Sequence, residues 1–168
     1  NPDVLKSVLG SHDIQASKSL GQNFLVCEEV IDVVLLGLKD GPKNITELGP
    51  GLGTLTQFLL DVGVHPVRGG LPQDNHSAAH NGTASNGANV IAIEKDHQLA
   101  EYLKSKFGDN NRVTIIEADI LKFNPETYNL KPETYKIVGN IPYYLTSRLL
   151  RTIFEKWPIP SLVVLMIQ

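Results

Sequence analysis

This chain is poor in several features that would point to particular classes of protein. It has one cysteine, Cys27, which excludes an internal disulfide framework and fits a reducing compartment. No apolar run approaches the length of a membrane span, so we expect no membrane partner. The formal net charge is -3, so the chain has no overall basic signature for nucleic acid. Any contact with RNA must come from a local patch or from residues beyond this sequence.

Neither end of the 168-residue sequence has the features of a native terminus. The chain begins at Asn1, with no initiating methionine and no signal-peptide pattern. It stops inside the apolar run 162–167, and a native chain seldom ends in a buried strand. The composition, 42% hydrophobic and 20% charged, suits one globular domain with a sizeable core. We therefore expect a single domain that is a fragment of a longer protein.

Short β-type runs alternate with helical patterns along the chain, which is typical of an α/β fold with a parallel sheet. The predicted strands are residues 45–48, 90–94, 113–117, 135–138 and 161–167. We predict a helix at 28–38 with Val30, Val34 and Leu38 on its apolar face, and another helix from Thr146. The residues that this second helix is predicted to bury are Leu149, Leu150, Ile153 and Phe154.

Residues 63–89 interrupt this alternation. The segment is rich in glycine and asparagine and has few apolar residues, so it cannot bury a core and is predicted to be a flexible surface insertion. It contains His76 and His80 at helical spacing, but nothing predicts a helix between them. We therefore expect no metal site there.

A glycine-rich turn, residues 49–53, follows the first predicted strand and precedes a helical pattern. Its sequence is Gly-Pro-Gly-Leu-Gly, and glycine at such a position lets the backbone approach a ligand closely. A dinucleotide fingerprint would need glycine in place of Thr54, and a phosphate-cradling loop would need a lysine, which this turn lacks. The turn therefore favours a nucleoside cofactor without pyrophosphate, such as S-adenosylmethionine. A glycine turn without a bound ligand is the alternative.

Acidic residues follow the second and third predicted strands. Glu94 ends the second strand, where an acid in nucleotide-binding folds takes the two ribose hydroxyls. Such an acid usually lies about 20 residues after the glycine turn, and residues 63–89 account for the longer separation here. Asp119 lies just past the third strand. Its carboxylate is placed either to accept the adenine amine of a cofactor or to cap the next turn.

A short polar and aromatic stretch, residues 139–143, follows the fourth predicted strand. Open α/β sheets place their chemistry at the carboxyl ends of strands. The Asn140 amide oxygen and a backbone carbonyl next to Pro142 offer two acceptors for an exocyclic amino group. Tyr143 offers a flat face on which a base can stack, worth roughly 1–3 kcal/mol. An ordinary strand-to-helix turn, with proline as punctuation, is the alternative.

Residues 18–25, near the start of the chain, combine polar amides with the apolar residues Leu20, Phe24 and Leu25. The stretch is either a loop pinned by these apolar anchors, with Asn23 facing a ligand, or a capping turn before the helix at 28–38. The pattern does not decide between the two.

Together these motifs resemble the ribosomal RNA adenine dimethyltransferase family, whose small-subunit enzyme makes N6,N6-dimethyladenine. The residues that carry the resemblance are 19–25, 47–53, 93–94, 118–119 and 139–143, in the family's order. It implies a Rossmann-like class I methyltransferase sheet with helices on both faces, truncated after the fifth strand. Residues 1–168 would form part of the N-terminal S-adenosylmethionine-binding domain, and the family's C-terminal helical RNA-binding domain would be absent.

The resemblance implies S-adenosylmethionine as cofactor and the small-subunit ribosomal RNA of the pre-ribosomal subunit as substrate. The predicted cofactor contacts are Asn23, Leu25, Gly49, Gly51, Glu94, Asp119 and Asn140. The predicted catalytic residues, which would hold the target adenine, are Asn140, Pro142 and Tyr143. We expect no metal, and we expect a monomer located in the cytoplasm or, in a eukaryote, in the mitochondrion. The fragment alone is not expected to methylate ribosomal RNA.

Two related alternatives share parts of this pattern. A large-subunit adenine methylase of the macrolide-resistance type shares the Asn-Ile-Pro-Tyr turn. The amino-acid sequences of residues 20–25 and 49–53, however, favour the small-subunit enzyme. The other alternative is a non-catalytic mitochondrial transcription-factor relative. The retained residues Glu94, Asp119 and Asn140 argue against it.

Overall fold

The computed structural model describes residues 28–60, 62 and 87–167, which form an open α/β sheet. The strands are β1 (Asn44–Leu48), β2 (Asn89–Glu94), β3 (Val113–Glu117), β4 (Tyr135–Ile141) and β5 (Leu162–Ile167). The helices are α1 (Glu28–Leu38), α2 (Thr54–Leu59), α3 (His97–Phe107) and α4 (Tyr143–Lys156), with a 3-10 helix at Pro125–Tyr128. Among these residues, no helix is both long and apolar enough to cross a bilayer.

The five strands of the described residues run parallel, in the order β3-β2-β1-β4-β5. The chain moves outward from β1 to β2 and β3, and then returns to the other side of β1 to form β4 and β5. This reversal leaves a crevice outside the carboxyl ends of β1 and β4, where open α/β sheets bind ligands. Strand pairing aligns Leu48 of β1 with Ile93 of β2 and Gly139 of β4. The residues just after these three positions therefore lie together at one edge of the sheet.

Apolar side chains from the helices cover both faces of the sheet. Helices α1, α2 and α3 pack on one face, through buried residues that include Leu38, Leu59 and Phe107. Helix α4 packs on the other face through Leu149 and Ile153, together with the connection that precedes β4. Burial of this apolar surface is the main favourable term in folding. The predicted Rossmann-like sheet, with helices on both faces, is confirmed.

Three residues that we predicted to be buried are exposed. Leu150 and Phe154 of α4 are 36% and 57% exposed, whereas the residues just before them face the sheet. One position along a helix rotates a side chain by about 100°, which is enough to turn it from the core to solvent. In α1, Val30 is 37% exposed and its neighbour Ile31 is buried in its place. The other residues predicted on these apolar faces, Val34, Leu38, Leu149 and Ile153, are buried, so the predictions were wrong only at the edges of the two faces.

The predicted insertion lies largely outside the described residues, but the positions on either side of it are described. Arg112 Nη1 donates a hydrogen bond to the Leu60 carbonyl at 2.8 Å. Gly87 packs against the same guanidinium, since a Cβ added there would come within 1.7 Å of Arg112 Nη1. Asn89, which we had assigned to the insertion, begins β2. Leu60 and Gly87, described residues on either side of this segment, therefore both contact Arg112 at the amino-terminal edge of the sheet.

Candidate cofactor and substrate site

The glycine turn, Glu94 and Asn140 meet at the carboxyl edge of the sheet. The Gly49 N–H donates to the Ile93 carbonyl at 3.0 Å, which ties the start of the turn to the end of β2. The Gly51 N–H donates to Glu94 Oε2 at 3.1 Å. On the other side of the turn, a Cβ added to Gly49 would lie 4.0 Å from the Asn140 carbonyl oxygen. Glu94 and Asn140 therefore border one crevice, with the glycine turn between them.

The glycine turn requires glycine at three positions because its backbone is left-handed there. The φ angles of Gly49, Gly51 and Gly53 are 67°, 58° and 69°, a region that residues with a Cβ disfavour. Gly53 is also tightly packed, since an added Cβ would lie 2.6 Å from Phe107 Cε2 and 2.7 Å from Leu103 Cδ2. Helix α3 therefore supports the turn from outside, and the shape of the turn depends on both its own glycines and this packing.

Backbone hydrogen bonds hold the Glu94 carboxylate in one orientation. Oε2 accepts from the Gly51 N–H, and Oε1 accepts from the N–H groups of Lys95 and Asp96 at 2.8 and 2.9 Å. Burial raises the pKa of Glu94, and these three hydrogen bonds oppose the increase. A carboxylate has about four acceptor positions, so roughly one remains, on Oε2. A ribose hydroxyl would therefore bind on the side of Oε2, which faces the glycine turn.

Of the two roles predicted for Asp119, the structure shows the capping of the next turn, and contact with an adenine amine stays a prediction. Its Oδ1 accepts from the Leu121 N–H at 3.0 Å, which caps the turn after β3. Its Oδ2 lies 3.1 Å from Lys95 Nζ. Burial acts to raise the pKa of Asp119, but the hydrogen bonds from Leu121 and Lys95 outweigh it and the net shift is downward. Asp119 is therefore charged at neutral pH, and an adenine amine would share its carboxylate with Lys95.

Strand β4 continues three residues further than we predicted, and Asn140 is part of it. The ladder with β5 pairs Asn140 with Met166 and Ile141 with Ile167, which keeps the chain extended up to Pro142. The half-buried Asn140 side chain is therefore carried by the sheet itself, and not by a loop. The rigid backbone of a paired strand positions a side chain more accurately than a loop does.

Pro142 and Tyr143 begin helix α4, three residues earlier than we predicted. The Pro142 carbonyl accepts from the Leu145 N–H at 3.0 Å and from Thr146 Oγ1 at 3.3 Å, so it belongs to the first turn of the helix. The second acceptor for a substrate amine would then be the carbonyl that precedes Pro142, that of Ile141. Tyr143 is 73% exposed, and its ring meets the Tyr144 ring edge to face, with the centroids 6.2 Å apart.

Sequence reasoning missed one buried acid next to the crevice. Glu47 of β1 is buried, and Thr56 Oγ1 donates to its Oε2 at 2.6 Å. Burial raises the pKa of Glu47 to about 7, and repulsion by Glu94 adds to this effect, whereas the bond from Thr56 and the charge of Lys106 oppose it. The signal was an acid in the central strand β1, two positions before the glycine turn.

Two predicted contacts, Asn23 and Leu25, lie outside the described residues, and their roles stay predictions. The described residues also contain one group of potential metal ligands, His97, Glu101 and Glu117, whose ligand atoms lie within 4.8 Å of one another. All three are exposed, and Lys104 Nζ lies 2.8 Å from Glu101 and 4.0 Å from Glu117. Ion pairs therefore account for this cluster.

The fold and the crevice define a class of protein. A parallel sheet with a glycine turn after β1 and an acid at the end of β2 occurs in Rossmann-like nucleotide-binding folds, which include class I S-adenosylmethionine-dependent methyltransferases. The structure is similar to that of the 23S rRNA methyltransferase ErmE, with a TM-score of 0.58 and 24% identity, over 82% of this chain and 45% of that one. It is also similar to a dimethyladenosine transferase from Plasmodium falciparum, with a TM-score of 0.59 and 21% identity, over 87% and 43%.

The chain belongs to the ribosomal RNA adenine dimethylase family, whose model matches residues 83–168. The family predicted from the motifs is therefore confirmed. The chain is similar to the ribosomal RNA small subunit methyltransferase A of Dehalococcoides mccartyi. The two are 33% identical over 164 residues, which are 97% of this chain and 48% of that protein. The protein of the same name from Streptococcus pneumoniae is 33% identical over 172 residues, 97% of this chain and 50% of that protein. The chain thus spans about half the length of these relatives.

Proposed function

We propose that the complete protein transfers methyl groups from S-adenosylmethionine to the N6 amine of adenines in small-subunit ribosomal RNA, in support of ribosome biogenesis. The observation that carries the proposal is the shared crevice, in which Glu94 and Asn140 lie on either side of the glycine turn. The names of the curated relatives support the small subunit as the source of the substrate. The solved large-subunit enzyme, at 24% identity, supports only the fold.

In this proposal the cofactor lies along the carboxyl edge of the sheet, against the glycine turn. Its contacts are Asn23, Leu25, Gly49, Gly51, Glu94, Asp119 and Asn140. Support comes from the geometry of the described members of this set: Glu94 Oε2 keeps an acceptor position for a ribose hydroxyl, and Asp119 follows the neighbouring strand β3. The left-handed glycines leave the crevice side of the turn without side chains, so that a nucleoside can approach the backbone.

Bound S-adenosylmethionine supplies a methyl group on a positively charged sulfur. The residues of this chain orient the amine that attacks this group. Asn140 Oδ1 accepts one hydrogen of the adenine N6 amine, the Ile141 carbonyl accepts the other, and Tyr143 stacks on the base. With both hydrogens held, the nitrogen lone pair would be free to attack the bound methyl group. The N–C bond would form as the S–C bond breaks, which would leave a neutral sulfur, and the methylated amine would then release one proton to solvent. Positioning and oriented acceptors are the contributions of the protein.

The remainder of the complete protein is proposed to complete the RNA site. Residues 1–168 would be part of the N-terminal methyltransferase domain, with a flexible insertion at about 63–89, and a C-terminal helical domain would hold the RNA. We propose that the protein acts as a monomer on the pre-ribosomal subunit in the cytoplasm, or in the mitochondrion of a eukaryote. The span of about half the length of the relatives supports a further domain.

The variant Asn140→Ala in the complete protein tests this function. We expect methyl transfer to small subunits to fall by roughly 10²–10³-fold, because one oriented acceptor is lost. Cofactor affinity should fall much less, because Glu94 and the glycine turn remain. Transfer is measured with labelled S-adenosylmethionine on purified small and large subunits, and affinity by calorimetry.

Asn89→Ala is the matched control, since Asn89 is exposed at the opposite edge of the sheet and its side chain donates to Asn44 Oδ1 at 3.3 Å. It should leave transfer and affinity unchanged. Equal losses of transfer and affinity in Asn140→Ala would contradict the role of Asn140 in holding the amine. Methylation of large subunits alone would favour the macrolide-resistance type of enzyme.

A further inference from the structure

Lys106 of helix α3 contacts the glycine turn, and no sequence motif indicated this residue. Lys106 Nζ donates to the Leu52 carbonyl, in the middle of the turn, at 3.0 Å. The same ammonium lies 5.1 Å from the centroid of the Phe107 ring, and this ring packs against Gly53. A cation is attracted to the face of an aromatic ring. Lys106 therefore contacts the backbone of the turn directly and also contacts the ring that supports it.

Lys106 also acts on the buried acid of β1. The charged groups that influence Glu47 are Glu94 of β2, which repels its ionised form, and Lys106 of α3, which attracts it. Thr56 of α2 completes the surroundings with its hydrogen bond. The effect is mutual, since burial lowers the pKa of Lys106 and the charge of Glu47 opposes that change. The attraction between the two groups is present only when Glu47 is ionised.

We propose that Lys106 is a positioning residue for cofactor binding, which draws the glycine turn toward α3 through the Leu52 carbonyl and through its attraction to ionised Glu47. The inference rests on the proposed function, because it takes the ligand of the turn to be S-adenosylmethionine. Lys106 needs no contact with the cofactor in this role. It acts through the backbone that the cofactor approaches.

The arrangement makes cofactor affinity depend on pH near neutrality. Because the pKa of Glu47 is about 7, its attraction to Lys106 forms as the pH rises through that value. The pKa of Glu94 is also raised, so its titration adds a separate dependence of cofactor affinity on pH. Every variant that keeps Glu94 shares this second dependence. We therefore expect the part of the pH dependence of cofactor affinity that is centred near pH 7 to require both Glu47 and Lys106.

The test is the binding of S-adenosylhomocysteine to the complete protein, measured by calorimetry at about pH 6 and about pH 8. Lys106→Met keeps a long apolar side chain and loses the charge. It should weaken binding roughly 10-fold at the higher pH, where the bond to the Leu52 carbonyl and the attraction to ionised Glu47 are both lost, and by a smaller factor at the lower pH, where only the bond to Leu52 is lost. Lys106→Arg should restore most of the loss. Lys104→Met is the control, because Lys104 lies on the same helix but pairs with Glu101, and it should change neither value.

A second readout is the carboxyl titration of Glu47, followed by carbon-13 NMR in the ligand-free protein. Lys106→Met should move the midpoint upward, because the ionised form loses its attraction, and a purely structural contact would not do so. Glu47→Gln, which keeps an acceptor for Thr56, should remove the component of affinity near pH 7.

Unchanged affinity in Lys106→Met, an equal loss at both pH values, or an unmoved Glu47 midpoint would each overturn the proposal. A wild-type protein that binds no S-adenosylhomocysteine would instead refute the proposed function. The titration of Glu47 would still decide whether Lys106 acts on it.

Discussion

The two strand ends that border the crevice are built differently. The turn after β1 is enclosed, with left-handed glycines, a backbone hydrogen bond to Glu94 and the Phe107 ring packed against Gly53. The turn after β4 is open, and Tyr143 is the most exposed of its residues. A site whose groups are already held in place loses less conformational entropy when it binds. Under the proposed function, the cofactor side would be largely preformed, and the substrate side would gain its final contacts from the RNA.

The largest expected effect is on the enclosed turn. Gly53→Ala places a Cβ 2.6 Å from Phe107 Cε2 at a φ of 69°, so packing and backbone both oppose it. We expect a loss of about 3–4 kcal/mol in the free energy of unfolding, the sum of left-handed strain and overpacking. Gly49→Ala has a similar φ of 67° but its nearest atom is 4.0 Å away, so strain alone should cost about 1–2 kcal/mol. Urea titration measures both, and equal losses would show that α3 does not confine the turn.

A smaller effect on stability is expected from Glu47, the buried acid of β1, and this effect depends on pH. The folded-state pKa of Glu47 is about 7, above its ordinary value of 4.5, so between these values the folded protein keeps a proton that the unfolded chain has lost. The stability that this proton confers is present below about pH 4.5 and is lost as the pH rises to 7. Glu47→Gln should therefore raise the free energy of unfolding by about 2 kcal/mol at pH 8 and change it little near pH 5.

Exposed Glu155, which pairs with Arg151 at 3.5 Å, provides the control for this prediction. The change in the free energy of unfolding caused by Glu155→Gln should be nearly the same at pH 5 and pH 8, apart from the small contribution of a surface ion pair. A constant gain from Glu47→Gln at every pH would show that ionisation is not its cause. A gain in stability at pH 8 combined with weaker cofactor binding would link the burial of Glu47 to function.

The smallest effect on stability is expected at the open turn. Because Tyr143 is exposed, Tyr143→Ala should change the free energy of unfolding by less than about 0.5 kcal/mol. Methyl transfer should nevertheless fall about 10-fold or more, since stacking of a base is worth roughly 1–3 kcal/mol. Tyr143→Phe keeps the ring and should remain active. Loss of activity in both variants would assign the role to the hydroxyl, and a marked loss of stability in Tyr143→Ala would show that the open turn is structural.

The sequence was sufficient for features that local signals determine. The order of helices and strands follows from apolar periodicity, and the glycine turn follows from its spacing after Ile45–Leu48. The errors occur where a partner distant in sequence decides the outcome. Strand β4 extends to Ile141 because β5 pairs with it, and Leu150 is exposed because the rotation of α4 is set by the sheet. Lys106 was missed because its contact with Leu52 joins segments that are 54 residues apart.

The contact of Arg112 with Leu60 and Gly87 has an evolutionary consequence. Because Arg112 contacts both Leu60 and Gly87, we expect the strands to tolerate a change in the length of the chain between these two residues. Each doubling of such a closed loop costs only about 0.6 kcal/mol of entropy. Leu60 and Gly87 lie at the edge of the sheet opposite the crevice, so a change in length there would be distant from the proposed methyl-transfer site. This position can therefore accept new sequence at little cost, whereas the glycine turn cannot.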